Sequence, residues 1–113
     1  RFPHLYRTLA KQGAQILSIP AAFTVPTGQA HWEILLRARA IENGAFVLAP
    51  AQAGTHEGGR ATYGHSMIIA PWGEILAVVE GDGPGFACAD LDLELVDKAR
   101  TSIPALTHDR PVN

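Results

Sequence analysis

Cys88 and Ser66 are the two residues of this chain whose type and sequence setting first suggest a covalent nucleophile. Cys88 lies in a predicted strand, and no histidine or lysine stands nearby in sequence to favour its thiolate. Because a reactive cysteine needs an electropositive, partly exposed setting, a small buried core residue is the favoured interpretation. Ser66 follows Gly64-His65, but the second glycine of a nucleophile elbow is absent and a predicted strand follows. We expect Ser66 to hydrogen-bond a neighbouring loop.

The sequence also contains no complete motif for metal binding, phosphate binding or catalysis by a carboxylate. The five histidines never fall in a metal-binding spacing: His4, His31, His56, His65 and His108. Three glycines lack the following helix whose N-terminus would bind phosphate, so a turn is predicted at Gly81, Gly83 and Gly85. Glu42 lies three residues after Arg39 on a predicted helix, which favours a structural ion pair over a catalytic carboxylate. Residue by residue, we therefore expect neither a metal site nor a cofactor.

Composition narrows the class of protein. The 113 residues are 47% apolar and 18% charged, with a net charge of -2. The length suits one domain of about 100–150 residues, and the apolar fraction argues against disorder. Scattered charges argue against a nucleic-acid partner or an anionic membrane, and no apolar run reaches the roughly 18 residues of a membrane helix. With Cys88 as the single cysteine, we expect a reducing, cytoplasmic setting. Because the first methionine is Met67, we also expect the chain to be part of a longer protein.

Three helices are predicted to support the candidate residues. The first runs from Pro3 to Gln12, with Leu5, Leu9 and Tyr6 on its apolar stripe. Thr27 is the predicted N-cap of the second, Gly28 to Asn43, which ends at Gly44 and whose shared apolar face is formed by Ile34, Leu35, Ala38 and Ile41. Asp92 caps the third helix, which reaches about Ser102. The tail from Ile103 is expected to dock on another surface.

Short strands alternate with these helices. The predicted strands are Ala14–Ile19, Ala45–Gln52, His65–Ala70, Glu74–Glu80 and Gly85–Leu91. The second is apolar throughout, which is typical of a strand covered on both faces. Pro71-Trp72-Gly73 predicts a hairpin turn, and a polar loop is predicted from Gly54 to Gly64. The resulting order is α-β-α-β-β-β-β-α, without an internal repeat or linker.

Blocks of residues along the chain resemble one known family, the nitrilase-type carbon–nitrogen hydrolases. In chain order the matching blocks are Arg1-Phe2-Pro3, Pro20-Ala21-Ala22-Phe23, His31-Trp32-Glu33, Leu36 to Asn43, Tyr63-Gly64-His65-Ser66-Met67, Pro71-Trp72-Gly73 and Asp90-Leu91-Asp92. Their order and spacing cover nearly the whole chain. Within the family, His31 to Asn43 and the tail from Ile103 to Pro111 look most like the deaminated-glutathione amidases.

The resemblance implies an α/β (α+β) fold, the C-terminal half of a four-layer αββα sandwich. Residues 1–113 would form the C-terminal portion of a single domain with no internal boundary. It also implies amidase chemistry, in which a Glu base, a Lys and a Cys nucleophile act together. The Cys attacks the amide carbonyl, ammonia or an amine leaves, and water hydrolyses the thioester. In relatives these three residues precede the Arg-Phe-Pro block. We therefore expect no catalytic residue in this chain, no family role for Cys88, and a fragment inactive alone.

For substrate binding, the resemblance implies Arg1, Phe23 and Thr27. Arg1 would lie near the carboxylate or polar end of the substrate, where its fork of N–H donors suits an anion. A frayed terminus is the alternative for Arg1, and ordinary core packing is the alternative for Phe23. The substrate would be a small linear, non-peptide amide, with no cofactor and no metal.

The resemblance also implies a homodimer in the complete protein, formed by the long helix and the tail. Two other functions stay open: a non-catalytic dimerising remnant, and one half of a split enzyme whose other half is encoded separately.

Overall fold

A computed structural model describes residues 1–112. The helices are α1 (Pro3–Lys11), α2 (Val25–Thr27), α3 (Glu33–Asn43) and α4 (Glu94–Ser102), with a π-helical turn at Gly28–Trp32 and 3-10 turns at Glu57–Gly59 and Ala105–Thr107. The strands are β1 (Ile16–Ser18), β2 (Phe46–Ala49), β3 (Ala53–Thr55), β4 (Ala61–Tyr63), β5 (Met67–Ile69) and β6 (Ile75–Val78). The predicted α/β class is confirmed.

Four strands form one mixed sheet in the order β1-β2-β5-β6. β1 runs parallel to β2, with Leu17 opposite Val47, whereas β2 with β5 and β5 with β6 are antiparallel. The last pair is the hairpin predicted from Pro71-Trp72-Gly73, since Gly73 N–H donates to the Ala70 carbonyl across the turn. A strand, a helical crossover and a parallel strand therefore build the first half of the sheet, and a hairpin completes it.

The core divides by the alternation of side chains along β2. Val47 points into the larger cluster, under α3, together with Leu17, Leu36 and Ile69. Phe46 points to the opposite face and packs against Val96 of α4. Phe46 and Val47 are both fully buried, so the prediction of a strand covered on both faces is confirmed for this part of the sheet.

The buried face of α3 differs from the prediction. Leu36 and Ala40 are buried, whereas Ile34 and Ile41 are 69% and 53% exposed. Two polar residues, Arg39 and Asn43, go inside instead because each finds a partner on the helix. Arg39 pairs with Glu42 at 3.0 Å, and Asn43 Nδ2 donates to the Arg39 carbonyl at 2.8 Å. The predicted helix end is confirmed, since Gly44 adopts the left-handed conformation with φ 55°.

In α1 the predicted apolar stripe is buried only in part. Ala10 is buried and Tyr6 half-buried, whereas Leu5 and Leu9 are 46% and 39% exposed. The helix itself matches its predicted bounds closely, with Pro3 in the first turn, where a missing N–H costs no hydrogen bond.

Two strand predictions were wrong. The segment from Gly54 to Gly64 was predicted as a loop but contains most of the β3-β4 hairpin, in which Gly54 pairs with Thr62. Its short strands carry few apolar residues, so periodicity did not reveal them. Conversely, Gly85–Leu91 forms no strand within the described residues, and its Phe86 side chain is 88% exposed.

The last helix and the tail tie the ends of the chain together. Arg100 of α4 donates to the Ala14 carbonyl at 2.6 Å and to the Asn43 carbonyl at 3.1 Å. Partial burial lowers the pKa of the Arg100 guanidinium, and the Asp97 charge opposes that shift. In the tail, Asp109 accepts hydrogen bonds from Arg7 and Lys11 of α1. These bonds lower the pKa of the Asp109 carboxyl to about 2. The tail therefore docks on α1 through an ionised carboxylate.

Candidate substrate-binding site

Arg1 and Phe23, two of the three predicted binding residues, are in contact. The Arg1 Cζ lies 5.0 Å from the centroid of the Phe23 ring, and Arg1 Nη2 lies 3.1 Å from His31 Nδ1. Phe23 itself is half-buried and packs against the larger core cluster. Phe23 thus contacts the core on one side, as its alternative role predicts, and supports the Arg1 guanidinium on the other.

Trp32 holds the Phe23 ring from the core side. The two rings are tilted with their centroids 4.9 Å apart, a favourable aromatic geometry. Trp32 is 1% exposed, and its Nε1–H donates to the His65 carbonyl at 2.8 Å. Both His31 and Trp32 belong to the π-helical turn Gly28–Trp32, so one turn of helix supports the arginine and the ring beneath it.

A small cavity of about 40 Å³ lies between α1, α3 and the end of β1. Its lining combines two guanidinium groups with aromatic and aliphatic side chains: Arg1, Tyr6, Ile19, Phe23, Trp32, Leu35, Leu36 and Arg39. Arg39 is 7% exposed and lies 5.9 Å from the Tyr6 ring. The cavity therefore combines the Arg1 guanidinium with an apolar wall, whereas the Arg39 guanidinium is paired with Glu42 at 3.0 Å.

Thr27 has a different role from the predicted N-cap. The helical segment already begins at Val25, with Pro26 tolerated in its first turn. Thr27 Oγ1 donates to the Thr24 carbonyl at 3.1 Å and lies 2.7 Å from Thr24 Oγ1. Thr27 is half-buried, and its hydroxyl closes the loop that carries Phe23 through the contacts with Thr24.

The β3-β4 hairpin braces this loop from below. Tyr63 N–H donates to the Phe23 carbonyl at 2.9 Å. A Cβ at Gly28 would lie 2.1 Å from Tyr63 Cγ, so only glycine allows the π-turn to approach the tyrosine this closely. The Tyr63 ring also stacks on His65, with centroids 3.9 Å apart.

His65 has an unusual backbone conformation for a residue with a side chain, with φ 60°. Three contacts stabilise this conformation. The His65 ring stacks on Tyr63, and its Nδ1–H donates to the Tyr63 carbonyl at 2.7 Å. The carbonyl of His65 accepts a hydrogen bond from the Trp32 indole. Neither His31 nor His65 has a role predicted from the sequence. Their presence in the His31-Trp32-Glu33 and Tyr63-to-Met67 blocks was the signal that could have found them.

The residues first considered for covalent chemistry lie apart from these contacts. Cys88 is exposed, so the prediction of a buried core residue in a strand was wrong. Ser66 Oγ accepts from Ala51 N–H at 2.8 Å, which confirms the predicted bond to a loop. Among residues 1–112, no cluster of three or more His, Cys, Asp or Glu side chains could hold a metal ion.

Comparison with known proteins places the chain in a family. The sequence pattern of the carbon-nitrogen hydrolases matches residues 1–101. The chain belongs to the carbon–nitrogen hydrolase family. It is 53% identical over 108 residues to a deaminated glutathione amidase of Synechocystis sp., an alignment that covers 96% of this chain and 39% of that protein. This chain of the carbon–nitrogen hydrolase family thus spans about two-fifths of the length of that curated relative.

Two solved structures have a similar fold. The NitFhit protein of C. elegans matches with a TM-score of 0.91 and 49% identity, covering 97% of this chain and 26% of that one. An amidase from Nesterenkonia sp. AN1, in complex with butyramide, matches with a TM-score of 0.68 and 32% identity, covering 91% of this chain and 38% of that one. The fold of this carbon–nitrogen hydrolase segment is therefore that of the nitrilase superfamily. Within residues 1–112, no helix is long and apolar enough to cross a membrane.

Proposed function

We propose that this chain forms the substrate-binding wall of an amidase that hydrolyses a small linear amide, in a protein of the deaminated-glutathione amidase type. The observation that carries the proposal is the convergence of Arg1, Phe23 and His31, across 30 residues of sequence, beside a cavity of about 40 Å³. Family membership supports hydrolysis of a carbon–nitrogen bond, and several relatives named deaminated glutathione amidase support the substrate type.

In this proposal each residue has a defined part. Arg1 donates hydrogen bonds to a carboxylate or polar group of the substrate. Phe23 supports the apolar stem of the substrate and holds the arginine above its ring. Thr27 keeps the loop of Phe23 closed through its bond to Thr24. Together these contacts orient the amide without reacting with it, which is the positioning part of catalysis.

The covalent step belongs to residues outside this set. The Glu, Lys and Cys implied by the family resemblance would act on the amide carbonyl: the Cys sulfur attacks, ammonia or the amine of the amide leaves with a proton, and water then releases the acid from the thioester. Cys88 is exposed and takes no part. We expect the isolated chain to release no ammonia from amides.

A chimeric enzyme tests the proposal. This chain would replace the matched 108 residues of the Synechocystis relative, and release of the amine product, cysteinylglycine, from deaminated glutathione would be measured. We expect turnover by the chimera, a raised KM in Arg1→Ala and Phe23→Leu variants, and unchanged kinetics in Cys88→Ser. Turnover by the isolated chain that vanishes in Cys88→Ser would overturn the proposal. Turnover on mixing separate segments would identify a split enzyme.

We further propose that the complete protein dimerises through the outer face of α3. Ile34 and Ile41 lie two turns apart on this face and are 69% and 53% exposed; they are bordered by the ion pair of Glu33 and Arg37 at 3.4 Å. An apolar stripe edged by charge is typical of an interface. Light scattering should show a dimer for the chimera and a monomer for Ile34→Glu. Leu93→Glu, on the opposite side of the sheet, is the matched control and should remain dimeric.

A further inference from the structure

One turn of helix contacts the Arg1 site in two ways. His31 Nδ1 lies 3.1 Å from Arg1 Nη2, while Trp32, the next residue, supports the Phe23 ring over which the guanidinium lies. Both belong to the π-helical turn Gly28–Trp32. Single π-turns within longer helices are frequent at functional sites. Here the turn places one neighbour beside the arginine and the other beneath its aromatic support.

The contact with His31 has only one chemical form. A guanidinium carries N–H donors and no acceptor, so His31 Nδ1 must accept the hydrogen bond through its lone pair. The ring proton of His31 is then on Nε2. An aromatic face alone leaves a guanidinium free to rotate above it, because the attraction has little in-plane direction. A hydrogen-bond acceptor beside the guanidinium, here His31 Nδ1, removes that rotational freedom and fixes the direction of the remaining N–H donors.

We propose that His31 is a positioning residue, which fixes the Arg1 guanidinium above Phe23 so that its free N–H donors face the carboxylate of the substrate. The carboxylate rests on the proposed function, whereas the contact between His31 and Arg1 does not. His31 itself touches no substrate in this arrangement. Its effect is transmitted through the arginine.

The first test measures the position of Arg1 in the chain without any ligand. A methylene group held near an aromatic face has its proton resonances shifted upfield, so the Arg1 Cδ protons report on the contact with Phe23. We expect the upfield shift in the unmodified chain, its loss in His31→Ala, and its return in His31→Asn, whose side-chain oxygen replaces the Nδ1 acceptor. His108→Ala, which removes an exposed histidine of the tail, should leave the shift unchanged. An unaltered shift in His31→Ala would overturn the proposal.

The second test measures binding with two probes, succinamate and its uncharged analogue butyramide. His31→Ala should weaken succinamate binding about tenfold, the lower end of the value of one hydrogen bond to a charged group, and leave butyramide binding unchanged. His31→Asn should restore succinamate binding. Equal weakening of both probes would show a general loss of structure and refute a positioning role. If the unmodified chain binds neither amide, the proposed function fails, and the resonance shift of Arg1 still decides the role of His31.

Discussion

Gly28→Ala examines the packing on which the candidate site depends. Gly28 has ordinary helical dihedral angles, φ -61° and ψ -50°, so its backbone does not need glycine. Its surroundings do, because an added Cβ would lie 2.1 Å from Tyr63 Cγ and 2.3 Å from Tyr63 Cβ. Ordinary carbon contacts are about 3.5 Å or longer, so the tyrosine or the helix must move by about 1.4 Å.

The expected size follows from two opposed effects. Overpacking of this kind costs about 3 kcal/mol, at the upper end of the usual range because three atoms of the Tyr63 side chain are involved. The better helix propensity of alanine returns about 1 kcal/mol. We therefore expect Gly28→Ala to lower the free energy of unfolding by about 2 kcal/mol, measured by urea denaturation with circular dichroism.

The clash with Tyr63 Cβ makes the experiment specific. In a Tyr63→Ala background the Cβ remains, so Gly28→Ala should still be destabilising; in a Tyr63→Gly background it should become neutral or stabilising. Gly83→Ala is the matched control, since a Cβ there meets nothing within 4 Å. A stabilising effect of Gly28→Ala in the unmodified chain, or full rescue by Tyr63→Ala, would refute the reasoning.

Three further predictions concern the core, the tail and the thiol. Leu36→Ala should lower the free energy of unfolding by about 2–4 kcal/mol, because Leu36 is 2% exposed. Ile34→Ala, at a site 69% exposed, should change it by less than about 0.5 kcal/mol. Similar costs of the two substitutions in urea denaturation would contradict the observed buried face of α3. The pKa of Asp109 is lowered to about 2 from an ordinary value of 3.8, so its anchoring of the tail is complete above pH 3.8 and is lost as pH falls toward 2. Amide exchange at Thr107 and His108 should rise over that range, and Asp109→Asn should show fast exchange throughout; slow exchange in the variant would contradict this. Cys88 is exposed, so its thiol should react with a disulfide reagent as fast in the folded chain as in urea, and strong protection in the folded chain would contradict the structure.

Much of the fold could be predicted because its signals are local. The bounds of α1, the stop at Gly44 and the hairpin at Pro71-Trp72-Gly73 each depend on one proline or glycine with a specific backbone preference. The β3-β4 hairpin escaped prediction because its strands have three residues each and carry little apolar pattern. The predicted strand at Gly85–Leu91 was suggested by composition, but no neighbouring strand pairs with it in the described structure.

The faces of α3 could not be read from periodicity, because apolar residues surround the helix on most sides. The inner face was decided by Trp32 and Leu36, whose large side chains fill the space above β2, and by the ability of Arg39 and Asn43 to find partners within the helix. Burying those two polar residues leaves Ile34 and Ile41 outside. The dimer proposal rests on these two exposed residues, which belong to the predicted apolar face.

For the candidate site, the resemblance supplied Arg1 and Phe23, but no sequence pattern indicated how they are held. The carbonyl of His65, set by a left-handed backbone conformation, accepts the Trp32 indole. Trp32 supports Phe23, and Phe23 and His31 support Arg1. This sequence of contacts joins the hairpin to the start of α1 through residues far apart in the chain. A change at Gly28 would therefore displace Tyr63, the stacking partner of His65 and the donor to the Phe23 carbonyl, and would disturb the arginine without touching it. The geometry of the proposed substrate-binding residues and the stability of the π-turn thus depend on the same packing.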